Sequence, residues 1–204
     1  MGKNFIGKEE LSKISRVFNI SIPKNNVLYV PFSQDYLRKI KKEYILVLGL
    51  SEDKNGKPLT INRMREIFGS DPKQSEPCFY NQDWYVKEKF AREKVLDFKW
   101  YLIKKMVDKN TRGKNPENIK KNLKKGEYFP SAVLCTFTFF AYYLLNREEI
   151  LWKKDFIWCK DRDLNGDRIY VGRYKDPQKI NKNGFNIHRH LSLRNCYGFV
   201  PEKI

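Results

Sequence analysis

Hydrophobic and polar positions recur along this chain with two different periods, and the changes of period mark out its elements. Over residues 5–19, Ile6, Leu11, Ile14, Val17 and Phe18 form an apolar stripe with Lys and Glu between them, which predicts an amphipathic helix. A short extended piece follows over 27–32. Ser33 then reads as the N-cap of a helix through residue 41, with Asp35 in its first turn. The run YILVLG at 44–49 is continuous and apolar, the pattern of a buried strand. Residues 51–56 form an exposed turn. Thr60 caps a helix over 61–68, which Gly69 ends. Residues 79–90 fit neither period, WYLI at 100–103 predicts a strand, and the polar stretch 108–125 predicts a long loop.

From 132 to 145 the chain is apolar on nearly every side, and Pro130 and Ser131 precede it as helix-start residues. That predicts a core helix buried all round, shorter than the roughly 20 residues a bilayer span requires. The terminal part then changes to short strands, at 156–159 and 168–174, joined by the turn Asp163-Leu-Asn-Gly-Asp167. After a second turn at 181–184, residues 185–194 alternate. Phe185, Ile187, Leu191 and Leu193 share one face, interrupted by Arg189. Asn186, His188, His190, Ser192 and Arg194 share the other. Residues 197–200 close the run. The expected fold class is α+β, with a terminal antiparallel sheet that leaves one face for a partner.

Composition sharpens this picture. The chain has 204 residues, of which 41% are hydrophobic and 15% aromatic, enough for a sizeable core and against disorder over most of its length. The formal charge of +17 favours an anionic partner such as nucleic acid or another acidic macromolecule. No membrane span and no signal-peptide apolar region stand out. Cys78, Cys135, Cys159 and Cys196 are scattered, as expected of reduced thiols in a cytoplasmic protein; in an exported one, Cys159 and Cys196 would be the pair to join. No cofactor motif is present.

Four groups of residues carry candidate chemistry. His188 and His190 share a strand face, as a ligand- or phosphate-binding pair would; zinc would need further ligands, from Asp155, Asp161 or Asp167. Asp161, Asp163, Asn165 and Asp167 have the oxygen spacing that opens a calcium loop, but Gly172 stands where the closing acid belongs, so a hairpin turn explains them as well. Asp83, Asp97 and Lys99 are similar to the core of the PD-(D/E)xK nucleases, whose two carboxylates hold Mg²⁺. The densest basic region runs from Lys99 to Lys125. It has ten basic residues, among them Lys104, Lys105, Arg112, Lys120, Lys121, Lys124 and Lys125, against Asp108 and Glu117. With Trp100, Tyr101 and Tyr128 it suits a phosphate backbone and a stacked base, or simply a solvated loop.

Residues 79–204 resemble the C-type-lectin-like fold in its bacterial and phage branch, which includes formylglycine-generating-enzyme relatives and the variable proteins of diversity-generating retroelements. The resemblance rests on the Trp100 strand, the helix from Pro130 to Leu145, Trp152, the Phe156-Ile-Trp158 strand, residues 168–174 and the hairpin from Gly184 to Val200. The lectin sugar-binding triplets and the paired cysteines of the formylglycine enzymes are absent. The resemblance therefore implies a fold, with residues 1–78 as an α/β extension, and a recognition surface on the terminal strands and loops. Asn186, His188, His190, Arg194 and Tyr197 are the expected ligand contacts. The expected function is a non-catalytic recognition module, with a nucleic-acid-binding protein or Mg²⁺-dependent nuclease as the alternative.

Overall fold

A computed structural model describes residues 2–23, 28–71, 73–146, 149–174, 184–189 and 193–203. The chain forms two sheets and six α-helices among these residues. In order they are β1 (Phe5–Ile6), α1 (Lys8–Phe18), α2 (Gln34–Ile40), β2 (Tyr44–Leu48), α3 (Ile61–Phe68), α4 (Lys89–Arg92) and β3 (Trp100–Lys104). There follow α5 (Pro116–Lys121), β4 (Glu127–Tyr128), α6 (Ala132–Leu145), β5 (Phe156–Arg162), β6 (Arg168–Tyr174), β7 (Gly184–Arg189), β8 (Tyr197–Gly198) and β9 (Glu202–Lys203). One sheet has the order β1-β2-β3-β9-β4 and the other β7-β6-β5-β8.

α6 is the centre of the core. Every residue from Ala132 to Tyr142 is buried, as the absence of a polar face requires. Its N-terminus is capped twice: Ser131 Oγ accepts from the Leu134 N–H at 3.2 Å, and Asp161 Oδ2 accepts from the Ala132 N–H at 2.6 Å. Around it pack Leu11, Ile14 and Phe18 of α1, Ile61, Met64 and Phe68 of α3, and one face of each sheet. β2 contributes Ile45 and Val47 to this core, while Tyr44 and Leu46 face a smaller cluster with Tyr36, Leu37 and Ile40 of α2. Burial on both faces is why β2 reads as a continuous apolar run.

Several expectations change with the tertiary structure. Residues 108–125 contain α5, with Asn115 as N-cap and Pro116 at its first turn. The terminal strands do not make one antiparallel sheet: β8 pairs parallel to β5, and β9 leaves to pair with β3 and β4 in the other sheet. Leu193 is exposed rather than on a buried face. Cys159 points into the main core toward Cys135, while Cys196 packs in the cluster on the opposite face of the sheet, so these two thiols are not placed to join. The strands on either side of residue 78 share one sheet and one core.

Candidate functional site

The outer face of the four-stranded sheet carries a second aromatic layer. Strand alternation places Ile157, Cys159, Ile169, Val171, Phe185 and Ile187 inward, and Phe156, Trp158, Tyr170, Asn186 and His188 outward. Cross-strand register brings Trp158, Tyr170 and His188 into one row, and Tyr197, Phe156, Gly172 and Asn186 into the next. Gly172 matters here because a Cβ would lie 2.3 Å from the Asp155 carbonyl oxygen and 2.9 Å from Phe156 Cδ1. Glycine lets Phe156 lie against the strand and leaves the second row without a side chain at its middle.

Part of this layer is roofed. α5 packs Ile119 against the cluster of Phe129, Trp158, Tyr170, Tyr197 and Phe199. Glu117 of the same helix accepts from Arg162 Nη2 and Arg168 Nη2, each at 2.5 Å, and the Arg168 contact holds its carboxyl below the usual range. The guanidinium of Arg168 also lies 4.8 Å from the Phe129 ring centroid.

The rest of the layer is open and forms a cleft of 180 Å³. His188 stacks on Tyr170 with ring centroids 5.3 Å apart and planes 10° from parallel. The Tyr170 hydroxyl donates to the Tyr197 hydroxyl at 3.3 Å, and burial together with this contact pushes the Tyr170 phenol well above its ordinary pKa. Phe156, Tyr80 and Gln82 complete the walls. Asn186 is 4% exposed, and its Oδ1 and the Gln82 Oε1 are buried acceptors with no hydrogen-bond partner among the described residues. Arg194 stands exposed at the rim, and among the described residues no carboxylate pairs with it. Among the described residues no carboxylate lines the cleft.

Asn186, His188, Arg194 and Tyr197 thus meet around one cavity. His190 lies outside the described residues. Tyr80, Gln82, Phe156 and Tyr170 were missed. The period-two pattern of residues 168–174, read with the register to His188, was the signal for Tyr170; nothing local pointed to Tyr80 or Gln82, which arrive from the other half of the chain.

The basic region divides into committed and uncommitted cations. Lys99 pairs with Asp97 at 3.1 Å, Lys105 pairs with Glu149 at 3.1 Å and sits over the Tyr142 ring, and Arg112 grips Asp155 through both terminal nitrogens at 2.6 and 2.8 Å. Lys104 is half-buried. Lys114, Lys120, Lys121, Lys124 and Lys125 are exposed and have no ion-pair partner among the described residues. The Arg112–Gly113 segment leads from the cleft toward these lysines: Arg112 Nη1 donates to the Asn195 carbonyl oxygen at 3.2 Å, and the Gly113 N–H donates to the Tyr197 carbonyl oxygen at 2.9 Å.

The other candidate chemistry is absorbed by local structure. Asp97 and Lys99 lie before β3, exposed and paired with each other, and Asp83 is exposed in a separate turn segment. Asp163 Oδ1 accepts from the Asn165 and Asp167 N–H groups at 2.9 and 2.8 Å, and its Oδ2 accepts from Arg189 at 2.7 Å, so the calcium-like spacing builds a hairpin turn. Among the described residues no group of three or more His, Cys, Asp or Glu is placed to hold a metal ion, and no helix is long and apolar enough to cross a membrane. Comparison with protein-family models, curated proteins and solved structures found no match.

Proposed function

We propose that this protein is a recognition module that binds an anionic partner through the cleft on the outer face of its four-stranded sheet. The observation that carries the reading is the convergence of Asn186, His188, Arg194 and Tyr197 around one cavity whose lining, among the described residues, holds a guanidinium and no carboxylate. Arg194 at the rim supplies a charge-assisted contact to an anion, and the buried amide oxygen of Asn186, an acceptor, is left for a donor group on the same partner. A C-type-lectin-like arrangement of residues 79–204 belongs to the same reading. It is supported by the order of the Trp100 strand, the buried helix α6 and the terminal strands, and it implies ligand contact on those strands and their loops. Asp97 and Lys99 neutralise each other at an exposed site, which gives the Mg²⁺-dependent nuclease alternative no comparable support.

Heparin, a polyanion without bases, tests the charge requirement. Titration followed by amide NMR is expected to perturb Asn186, His188 and Tyr197. Arg194→Gln, an exposed substitution that leaves the core intact, is expected to weaken binding about tenfold, the loss of one charge-assisted hydrogen bond. Heparin binding that leaves the cleft signals unmoved, or that survives Arg194→Gln unchanged, overturns the reading.

A further inference from the structure

The cleft is walled by rings and the uncommitted lysines lie on the element beside it. Resting on the reading above, we infer that its ligand is one unstacked base of a single-stranded nucleic acid, whose phosphate backbone continues across α5.

Three observations converge on this ligand. First, the cleft has the volume for one planar ring system rather than for a duplex, and aromatic rings line it: His188 lies parallel on Tyr170, with half-buried Phe156 and Tyr80 at the opening. Bases stack on such faces whatever their sequence, and a base inside a duplex has no free face to offer. Second, of the buried polar atoms without a hydrogen-bond partner among the described residues, those on residues that line the cleft are the amide oxygens of Asn186 and Gln82. Both are acceptors, and the exocyclic amines of adenine, cytosine and guanine are donors on the edge of the same plane that stacks. A base-free polyanion satisfies Arg194 but leaves these two acceptors unpaired. Third, positive charge continues from the cleft in one direction. Arg112 and Gly113 bind the backbone around Asn195 and Tyr197, and the chain then runs through Lys114 into α5, where Lys120 and Lys121 are exposed. Lys124 and Lys125 follow directly. Glu117 is engaged by Arg162 and Arg168, so no carboxylate of α5 offsets these lysines. A strand with one base in the cleft has its neighbouring phosphates over that surface.

The test is fluorescence anisotropy with labelled oligoadenylate, the same strand made abasic at every position, a duplex containing it, and heparin as base-free competitor. The oligoadenylate is expected to bind at least tenfold more tightly than either the abasic strand or the duplex. Asn186→Ala is expected to weaken the oligoadenylate alone, while Arg194→Gln weakens every polyanion. Replacing Lys120, Lys121, Lys124 and Lys125 with Ser is expected to flatten the slope of log affinity against log salt by about 0.7 for each phosphate that is no longer neutralised. Thermal melting of each variant checks that it is folded. Equal binding of abasic and base-bearing strands, or preference for the duplex, overturns the base inference. If heparin binding still depends on Arg194 in that case, the anionic-partner reading stands; if no probe depends on Arg194, that reading falls as well.

Discussion

Arg173 of β6 and Glu76, 97 positions apart, meet edge-on, with Nε 2.6 Å from Oε1 and Nη2 2.8 Å from Oε2. Their side chains are 8% and 17% exposed, so the pair works in a poorly solvated setting. It ties the loop after α3 to the strand that forms the floor of the cleft. Arg173→Met leaves the Glu76 carboxylate desolvated and without its partner, and is expected to cost about 3 kcal/mol in urea denaturation. The double variant with Glu76→Gln is expected to recover part of that loss, because the stranded charge is removed. A single variant as stable as the parent shows that the pair contributes nothing net.

Phe140 of α6 stacks on Phe68 with centroids 4.0 Å apart and lies 4.9 Å from Phe79. Its ring joins α3, α6 and the segment that delivers Tyr80 to the cleft. Phe140→Ala is expected to destabilise the protein by about 3–5 kcal/mol, the transfer loss plus an uncollapsed cavity. A cost under about 1 kcal/mol in equilibrium denaturation means the site collapses around the smaller side chain and the ring cluster is not the keystone of the core.

Glu149 accepts from Lys3, Tyr142 and Lys105, and these contacts lower its carboxyl from an ordinary value of 4.5 to about 2. A depressed folded-state pKa means that the unfolded chain takes up the proton first. The stability this group contributes is therefore present above about pH 4.5 and lost as pH falls toward about 2. Its side chain is 42% exposed, so water screens the contribution and keeps it modest. Denaturation midpoints measured across this window are expected to fall less steeply for Glu149→Gln than for the parent. Parallel curves refute the assignment.

Of the four thiols, Cys78, Cys135 and Cys159 are buried, and only Cys196, at the edge of the cleft, is half-buried. Burial raises the Cys196 pKa, so alkylation is expected to be slow at neutral pH and faster as pH rises. Mass spectrometry of native protein treated with iodoacetamide is expected to show one modified cysteine, protected when the cleft is occupied. Modification of Cys135 or Cys159 under native conditions contradicts the packing around α6.

Local sequence determined the elements whose signals are chemical and short-range. Ser33, Thr60 and Ser131 cap helices because their hydroxyls accept from the backbone two or three residues on, and no distant contact is needed. Residues 132–145 announced a buried helix because no face of it tolerates water, and residues 44–48 a doubly covered strand for the same reason. The outward positions of Asn186 and His188 followed from the two-residue period of a strand. What the pattern did not contain was pairing. β9 joins β3 across about a hundred residues, and β8 runs parallel to β5, because backbone hydrogen bonding carries no residue-specific code and the partner is chosen by which apolar faces close together. The cleft was half legible for this reason. His188, Asn186, Arg194 and Tyr197 lie near one another in the chain, whereas Tyr80 and Gln82 reach it only when Phe79 bridges to Phe185. The basic region divided in the same way. Sequence counted its charge, but only packing decided that Arg112 is held by Asp155 and Lys105 by Glu149, while Lys120, Lys121, Lys124 and Lys125 remain turned to solvent, where a charge keeps its hydration.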